Sequence, residues 1–285
     1  MQGEPSSAGG APGRFHVRFW GVRGSIACPG PDTNVYGGNT PCIEIRCGDR
    51  VFVFDAGTGI RELGPMLETD GITDVDIFLS HTHIDHIAGF PFFSFAFNPD
   101  NRLRVWSGHL EAGLTTEHVL RQFMCPPLFP VPPDIFTSKV SYHDFRAGET
   151  LSPHPGVSLR TAALNHPQNA TGYRVDYDGR SICYVTDTEH VSGTPDRNIL
   201  ALIEGADIVI YDGMFTDAEY PTYKGWGHST WEEGARLCEA AGVGTYVIFH
   251  HLPGRTDVEL DRIATLAEAA HPGALVAREG MVLVP

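Results

Sequence analysis

The chain has 285 residues, 42% of them apolar, enough to build a buried core and to exclude wholesale disorder. Its 20 basic residues stand against 35 acidic ones, a formal charge of -15, which argues against a broad basic face for gripping nucleic acid backbones. No apolar run reaches the length of a membrane span, and the segment MQGEPSSAGGAPGR has no apolar stretch of the secretory kind.

Residues 1–14 read as a disordered tail, and order is expected from Phe15. FHVRFWG alternates like a strand, and a loop rich in glycine and proline follows it. CIEIRC and VFVFDAG read as two strands joined at GDR, then a short helix over 60–67, then the buried strand VDIFLS. The pattern weakens from Asn98 to Leu151. RLRVWS reads as a strand, EAGLTTEHVLRQFM as a helix, and MCPPLFPVPPDIF as a loop with aromatic side chains.

VSLRTAAL, TGYRVDYD and SICYVTD follow as three strands, with ADIVIYDG and TYVIFHH as two more. Ser229-x-x-Glu232 and Thr256-x-x-Glu259 each fit a capping box at a helix start. Strands in both halves, with helices between and after them, indicate an α/β fold: a four-layer αββα sandwich of two mixed sheets flanked by helices. The whole of 15–285 is expected to form one domain. The six cysteines at 28, 42, 47, 125, 183 and 238 form no CxxC pair, so they read as free thiols in a reducing cytoplasm rather than a zinc-thiolate site.

The chemistry concentrates in LSHTHIDHIAG, which sets His81, His83, Asp85 and His86 straight after a buried strand. Imidazole and carboxylate together suit zinc or another first-row divalent ion. His81 and His83 alternate in an extended segment and can face one way, while Asp85 and His86 begin a new turn and can serve a second ion. Further candidates follow strands: His166, Asp187, and the pair His250 and His251.

This pattern resembles the metallo-β-lactamase superfamily, whose signature is HxHxDH with a later His, Asp and His. The resemblance implies that His81, His83 and His166 hold one metal, that Asp85, His86 and His251 hold the other, and that Asp187 bridges them. His251 is preferred over His250 because the ribonuclease Z-like branch places an Arg four residues after its last ligand, and Arg255 stands there. GWGHSTWEE carries the Gly-His-Ser-Thr of the same branch at 227–230, and Asp212 in IYDGMF matches its acidic partner, with Asp for Glu and Tyr for the preceding His.

The resemblance implies two divalent ions per chain, Zn²⁺ with Mn²⁺ or Fe²⁺ as alternatives. Such a pair can share and activate a hydroxide for attack on a phosphodiester. Asp85, Asp212 and His228 are expected to take part in the reaction, His228 as general acid oriented by Asp212. Arg255 and Trp226 are the expected substrate-binding residues, with Phe129, Phe136 and Tyr223 as further aromatic walls.

The expected activity is hydrolysis of small phosphodiesters, cyclic nucleotides foremost, by a cytoplasmic enzyme with no membrane partner. A large nucleic acid is disfavoured by the charge, and a homodimer is left open. The alternatives are a lactonase, thioesterase or arylsulfatase-like hydrolase on the same scaffold, or a tRNA 3′-end endonuclease.

Overall fold

A computed structural model describes residues 14–285. The tail expected over 1–14 therefore lies outside the described residues, apart from Arg14. One sheet takes β1 (Phe15–Gly21), β2 (Cys42–Cys47), β3 (Arg50–Phe54), β4 (Asp74–Leu79), β5 (Arg102–Ser107) and β6 (Lys139–Asp144). The other takes β7 (Thr150–Leu151), β8 (Val157–Leu164), β9 (Ala170–Tyr177), β10 (Arg180–Val185), β11 (Ile208–Asp212), β12 (Thr245–Phe249) and β13 (Leu275–Val276). The last strand, β14 (Val282–Leu283), returns to the first sheet beside β1.

The orders are β14-β1-β2-β3-β4-β5-β6 and β13-β12-β11-β10-β9-β8-β7, seven strands each among the described residues. Both sheets are mixed in the same way. β3 to β6 run parallel and β14 to β3 antiparallel, and likewise β10 to β13 run parallel and β7 to β10 antiparallel. The helices are α1 (Ile60–Thr69), α2 (Ile84–Ile87), α3 (Thr116–Phe123), α4 (Arg197–Ile203), α5 (Tyr220–Tyr223), α6 (Trp231–Ala241) and α7 (Asp257–Ala270).

Central strands buried on both faces read as continuous apolar runs, and alternate residues then serve different layers. In β3, Phe52 and Phe54 enter the core between the sheets, while Val51 and Val53 pack outward with Ile60, Leu63 and Leu67 of α1. In β11, Ile208 and Ile210 face the other sheet, while Val209 and Tyr211 pack outward in the cluster that holds α4, α6 and α7. These layers are the αββα sandwich expected from the sequence.

Several details differ from expectation. The helix expected over EAGLTTEHVLRQFM starts only at Thr116, where the Thr115 side chain accepts from His118 N–H. The capping box at Thr256 and Glu259 is present. At α6 the cap is Thr230, which accepts from Glu233 N–H, one residue beyond the expected Ser229. The Ser229 hydroxyl instead meets Tyr211 Oη and His190 Nδ1, each at 2.9 Å, inside the fold. No helix of the described residues is long and apolar enough to cross a membrane.

Candidate metal and proton-transfer site

Strands of both sheets release their chains at one end of the sandwich, and the chemistry-bearing residues gather there. Asp55 follows β3, His81 follows β4, His166 follows β8, Asp187 follows β10, Asp212 ends β11 and His250 follows β12. Asp55, Asp187 and His250 turn out of their strands with φ of 62°, 55° and 60°. This left-handed backbone is uncommon outside glycine, and such residues cluster at functional sites.

Two groups of side chains meet there. His81, His83 and His166 form one, and Asp85, His86, Asp187 and His250 the other. A third, Asp187, Asp212, His228 and His250, overlaps the second. In the first group His83 Nδ1 lies 2.9 Å from His81 Nε2 and 3.1 Å from His166 Nε2. The outer ring nitrogens are already committed. His166 Nδ1 donates to Gly227 O at 2.7 Å and His83 Nε2 to Gln168 Oε1 at 3.0 Å, while His81 Nδ1 meets Ser80 Oγ at 3.0 Å. Three imidazole lone pairs therefore converge. Burial lowers the pKa of His81 and His166, which keeps these rings neutral and able to ligate.

In the second group the orienting residue is Asp55, which the sequence reading missed. Its Oδ2 accepts from His86 Nδ1 at 2.8 Å, from Ser80 Oγ at 2.8 Å and from Tyr184 Oη at 2.7 Å. A carboxylate only accepts, so Nδ1 holds the proton and His86 presents Nε2 inward. That Nε2 lies 3.3 Å from Asp85 Oδ2 and 3.4 Å from Asp187 Oδ1. Burial would lower the His86 pKa, yet the carboxylates of Asp85, Asp187 and Asp55 raise it well above its ordinary value. The field there favours positive charge. The one advance signal for Asp55 was its place at the end of the apolar run VFVFD, like the strand-end Asp187.

Asp187 joins the groups. Its Oδ1 faces His86 and His250, and its Oδ2 lies 3.7 Å from His81 Nε2 and 3.6 Å from His166 Nε2. Asp85 is steadied by Ser25 N–H, which donates to Oδ2 at 2.7 Å.

The structure corrects the choice between the adjacent histidines. His250, not His251, enters the cluster, with Nε2 3.4 Å from Asp85 Oδ2 and 3.2 Å from Asp187 Oδ1. Its ring lies between those of His86 and His228, at 5.4 and 5.0 Å. His251 points away and donates from Nε2 to Ala277 O at 2.7 Å, and burial depresses its pKa to about 3. The strand ends at Phe249, and the left-handed bend at His250 swings that ring into the site. Gly24 permits the close fit, since a Cβ there would stand 2.5 Å from the His250 ring.

Arg255, whose spacing had favoured His251, is likewise not a substrate group. Its guanidinium is buried against Glu219 Oε1 and Oε2 at 2.9 and 2.8 Å and Met214 O at 3.0 Å.

His228 stands beside both groups, its ring 5.3 Å from that of His166. Its Nδ1 lies 3.0 Å from Asp212 Oδ2, and Asp212 is locked by Thr188 N–H and Met214 N–H at 3.2 and 3.1 Å. Burial would lower the His228 pKa, but Asp212, with Asp187 and Asp85 behind it, raises it to about 9. Trp226 is 63% exposed one residue from Gly227. Of the other expected aromatic walls, Phe129 packs against Phe92 and Phe136 against Phe90 and Phe97, while Tyr223 stacks on Phe215 at 4.4 Å and meets Trp226 edge-on at 5.3 Å.

The donor set fits two divalent cations. His86 Nε2 and His250 Nε2 are buried without a hydrogen-bond partner while aimed at carboxylate oxygens, and the His81, His83 and His166 nitrogens crowd together with no proton to share. Nitrogen and carboxylate donors in such groups suit zinc and its neighbours.

The profile of the Beta-lactamase superfamily domain matches residues 50–251. The chain is 25% identical to Ribonuclease Z of Mycobacterium marinum over 268 residues, covering 86% of this chain and 90% of that one. It is 22% identical to Ribonuclease Z of Haloarcula marismortui, covering 94% and 96%. Among solved structures, the metallo-β-lactamase fold protein YhfI from Bacillus subtilis superposes with a TM-score of 0.70 at 18% identity, covering 94% and 98% of the two chains. The short form of human tRNase Z superposes at 0.67 with 19% identity, covering 94% and 98%. Relatives named Ribonuclease Z stand against setting aside a large nucleic acid on net charge alone. With its profile match across most of the sequence, its paired sheets and its histidine–aspartate centre, the chain belongs to the metallo-β-lactamase superfamily.

Proposed function

We propose that this protein is a dinuclear metal-dependent phosphodiesterase, with small diesters such as cyclic nucleotides as substrates. The observation that carries the reading is the Asp187 carboxylate, whose two oxygens face two separate ligand groups, with the His228–Asp212 pair beside them. In this reading His81, His83 and His166 would hold one ion, Asp85, His86 and His250 would hold the other, and Asp187 would serve both. Two such ions supply Lewis-acid charge for phosphoryl oxygens and lower the pKa of water.

The chain's own groups provide the rest. Asp55, Gln168 and Gly227 O accept the outer N–H of His86, His83 and His166 and so aim the other ring nitrogen of each inward, where a bound cation would displace any proton. Asp212 holds the Nδ1–H of His228, leaving Nε2 to carry a proton to the departing oxygen. Trp226 offers an open aromatic face on which a base can stack.

Relatives named Ribonuclease Z support a second reading in which the diester belongs to RNA. The test is a panel on zinc-loaded protein: 2′,3′- and 3′,5′-cyclic nucleotides, a precursor tRNA, a lactone, a thioester and an aryl sulfate. Fastest turnover of a cyclic nucleotide is expected. Fastest cleavage of the precursor tRNA would transfer the assignment to the second reading. Fastest turnover of the lactone, thioester or sulfate would overturn both.

A further inference from the structure

Glu189 lies two residues beyond Asp187, and none of the chemistry above uses it. Its half-buried carboxylate reaches the turn at residues 225–227. Oε1 and Oε2 accept from Gly225 N–H at 2.9 and 2.8 Å, and Oε2 also accepts from Gly227 N–H at 2.8 Å. Both glycines have positive φ, 94° and 84°. The two amides turned to one side in this way form a concave receptor for an anion, while the Trp226 N–H between them donates to Tyr223 O at 3.1 Å. The backbone of Glu189 is tied as well: its N–H donates to Asn165 O, and its carbonyl accepts from Asn165 Nδ2, each at 2.7 Å.

The turn so held touches the site at two points. Gly227 O is the acceptor that fixes the His166 tautomer, at 2.7 Å from Nδ1. The next residue is His228, already bound to Asp212. The fit leaves no slack, because a Cβ at position 227 would stand 2.5 Å from His166 Nδ1. One residue thus ties together the segments that carry His166, Asp187 and His228, by its backbone to Asn165 and by its carboxylate to the 225–227 turn.

We infer that Glu189 is a positioning residue: its carboxylate clasps the Gly225–Gly227 turn and thereby aims the His166 imidazole at His81 and His83. The inference rests on the metal-centre reading above, in which His166 serves one ion and not the other. Loss of the clasp frees Gly227 O to drift and lets His166 rotate, so one ion is weakened while the other is spared. Partners that orient metal-bound histidines typically contribute about 10- to 100-fold in metal affinity.

The test uses Glu189→Ala and Glu189→Gln in the full chain, with two readouts that need no substrate. Zinc titration against a chromophoric chelator gives the two affinities, and amide hydrogen exchange follows residues 223–228. In Glu189→Ala one zinc affinity is expected to fall about 10- to 100-fold with the other unchanged, and exchange at Gly225 and Gly227 to accelerate. Glu189→Gln keeps an oxygen acceptor and is expected to restore most of both. Unchanged zinc affinities, or equal weakening of both ions together with a lower Tm, would overturn the inference. If the wild-type protein binds no zinc, the metal-centre reading fails by itself. Exchange at Gly225 and Gly227 then still decides whether the clasp exists: acceleration in Glu189→Ala supports it, and no change refutes it.

Discussion

Asp212 Oδ2 and His228 Nδ1 lie 3.0 Å apart and are both buried, joining the end of β11 to the segment that leads into α6. The bond assigns the imidazole a tautomer and an orientation. His228→Ala is expected to keep its metal content while kcat on an unactivated diester falls about 10²- to 10⁴-fold. Asp212→Asn should lie between wild type and that variant. A p-nitrophenyl diester, whose leaving group needs no proton, should lose far less. Equal losses on both substrates would show that His228 does not act as the acid.

The adjacent histidines give a second expectation. His250→Ala should bind fewer metal equivalents by elemental analysis. His251→Ala should keep its metal and instead unfold at a lower temperature, because it leaves the buried Ala277 carbonyl unpaired at a cost of about 1–3 kcal/mol. Metal loss confined to His251→Ala would reverse the assignment that the geometry makes.

Asp187 provides the test of the shared centre. Protein purified without chelator should carry about two divalent ions per chain. Asp187→Ala should reduce both, since its two oxygens face both ligand groups. A wild-type protein that is active with a single equivalent would sink the dinuclear reading.

A fourth expectation concerns pH and lies far from the metals. Asp76 is buried and accepts from Arg104 Nε at 2.7 Å, Trp106 Nε1 at 2.8 Å and His154 Nε2 at 2.7 Å. Burial would raise its pKa, but Arg104, His154 and Trp106 together lower it. Its folded value is therefore below the unfolded value of about 3.9. The stability it contributes is complete above that unfolded value and is lost as pH falls through the folded one. Asp76→Asn should lower the urea midpoint at neutral pH and flatten its decline in acid. The loss should stay below the about 3–5 kcal/mol of a fully orphaned buried charge, since Arg104 keeps Asp74. A variant with the wild-type acid limb would show that Asp76 does not govern it.

Much of this protein was legible from its residues because the relevant signals are local. Apolar runs such as VFVF and IVIY mark strands buried on both faces, and HTHIDH after a buried strand marks a cluster of metal-ligating residue types. Asp187 and His166 follow the same logic of polar residues at strand ends, and the fold brings both into the cluster. Only the tertiary structure decided what depends on backbone bends and on distant partners. Period-two alternation ceases to apply once a strand stops, so the left-handed turn at His250 could not be read from TYVIFHH, and a spacing argument pointed to its neighbour. Arg255 found Glu219 and Met214, and Asp55 found His86, across gaps of tens of residues that leave no periodic trace. The clasp from Glu189 to Gly225 and Gly227 is of the same kind: an acceptor and two amides brought together by the packing of two chain segments, with no pattern in either of them.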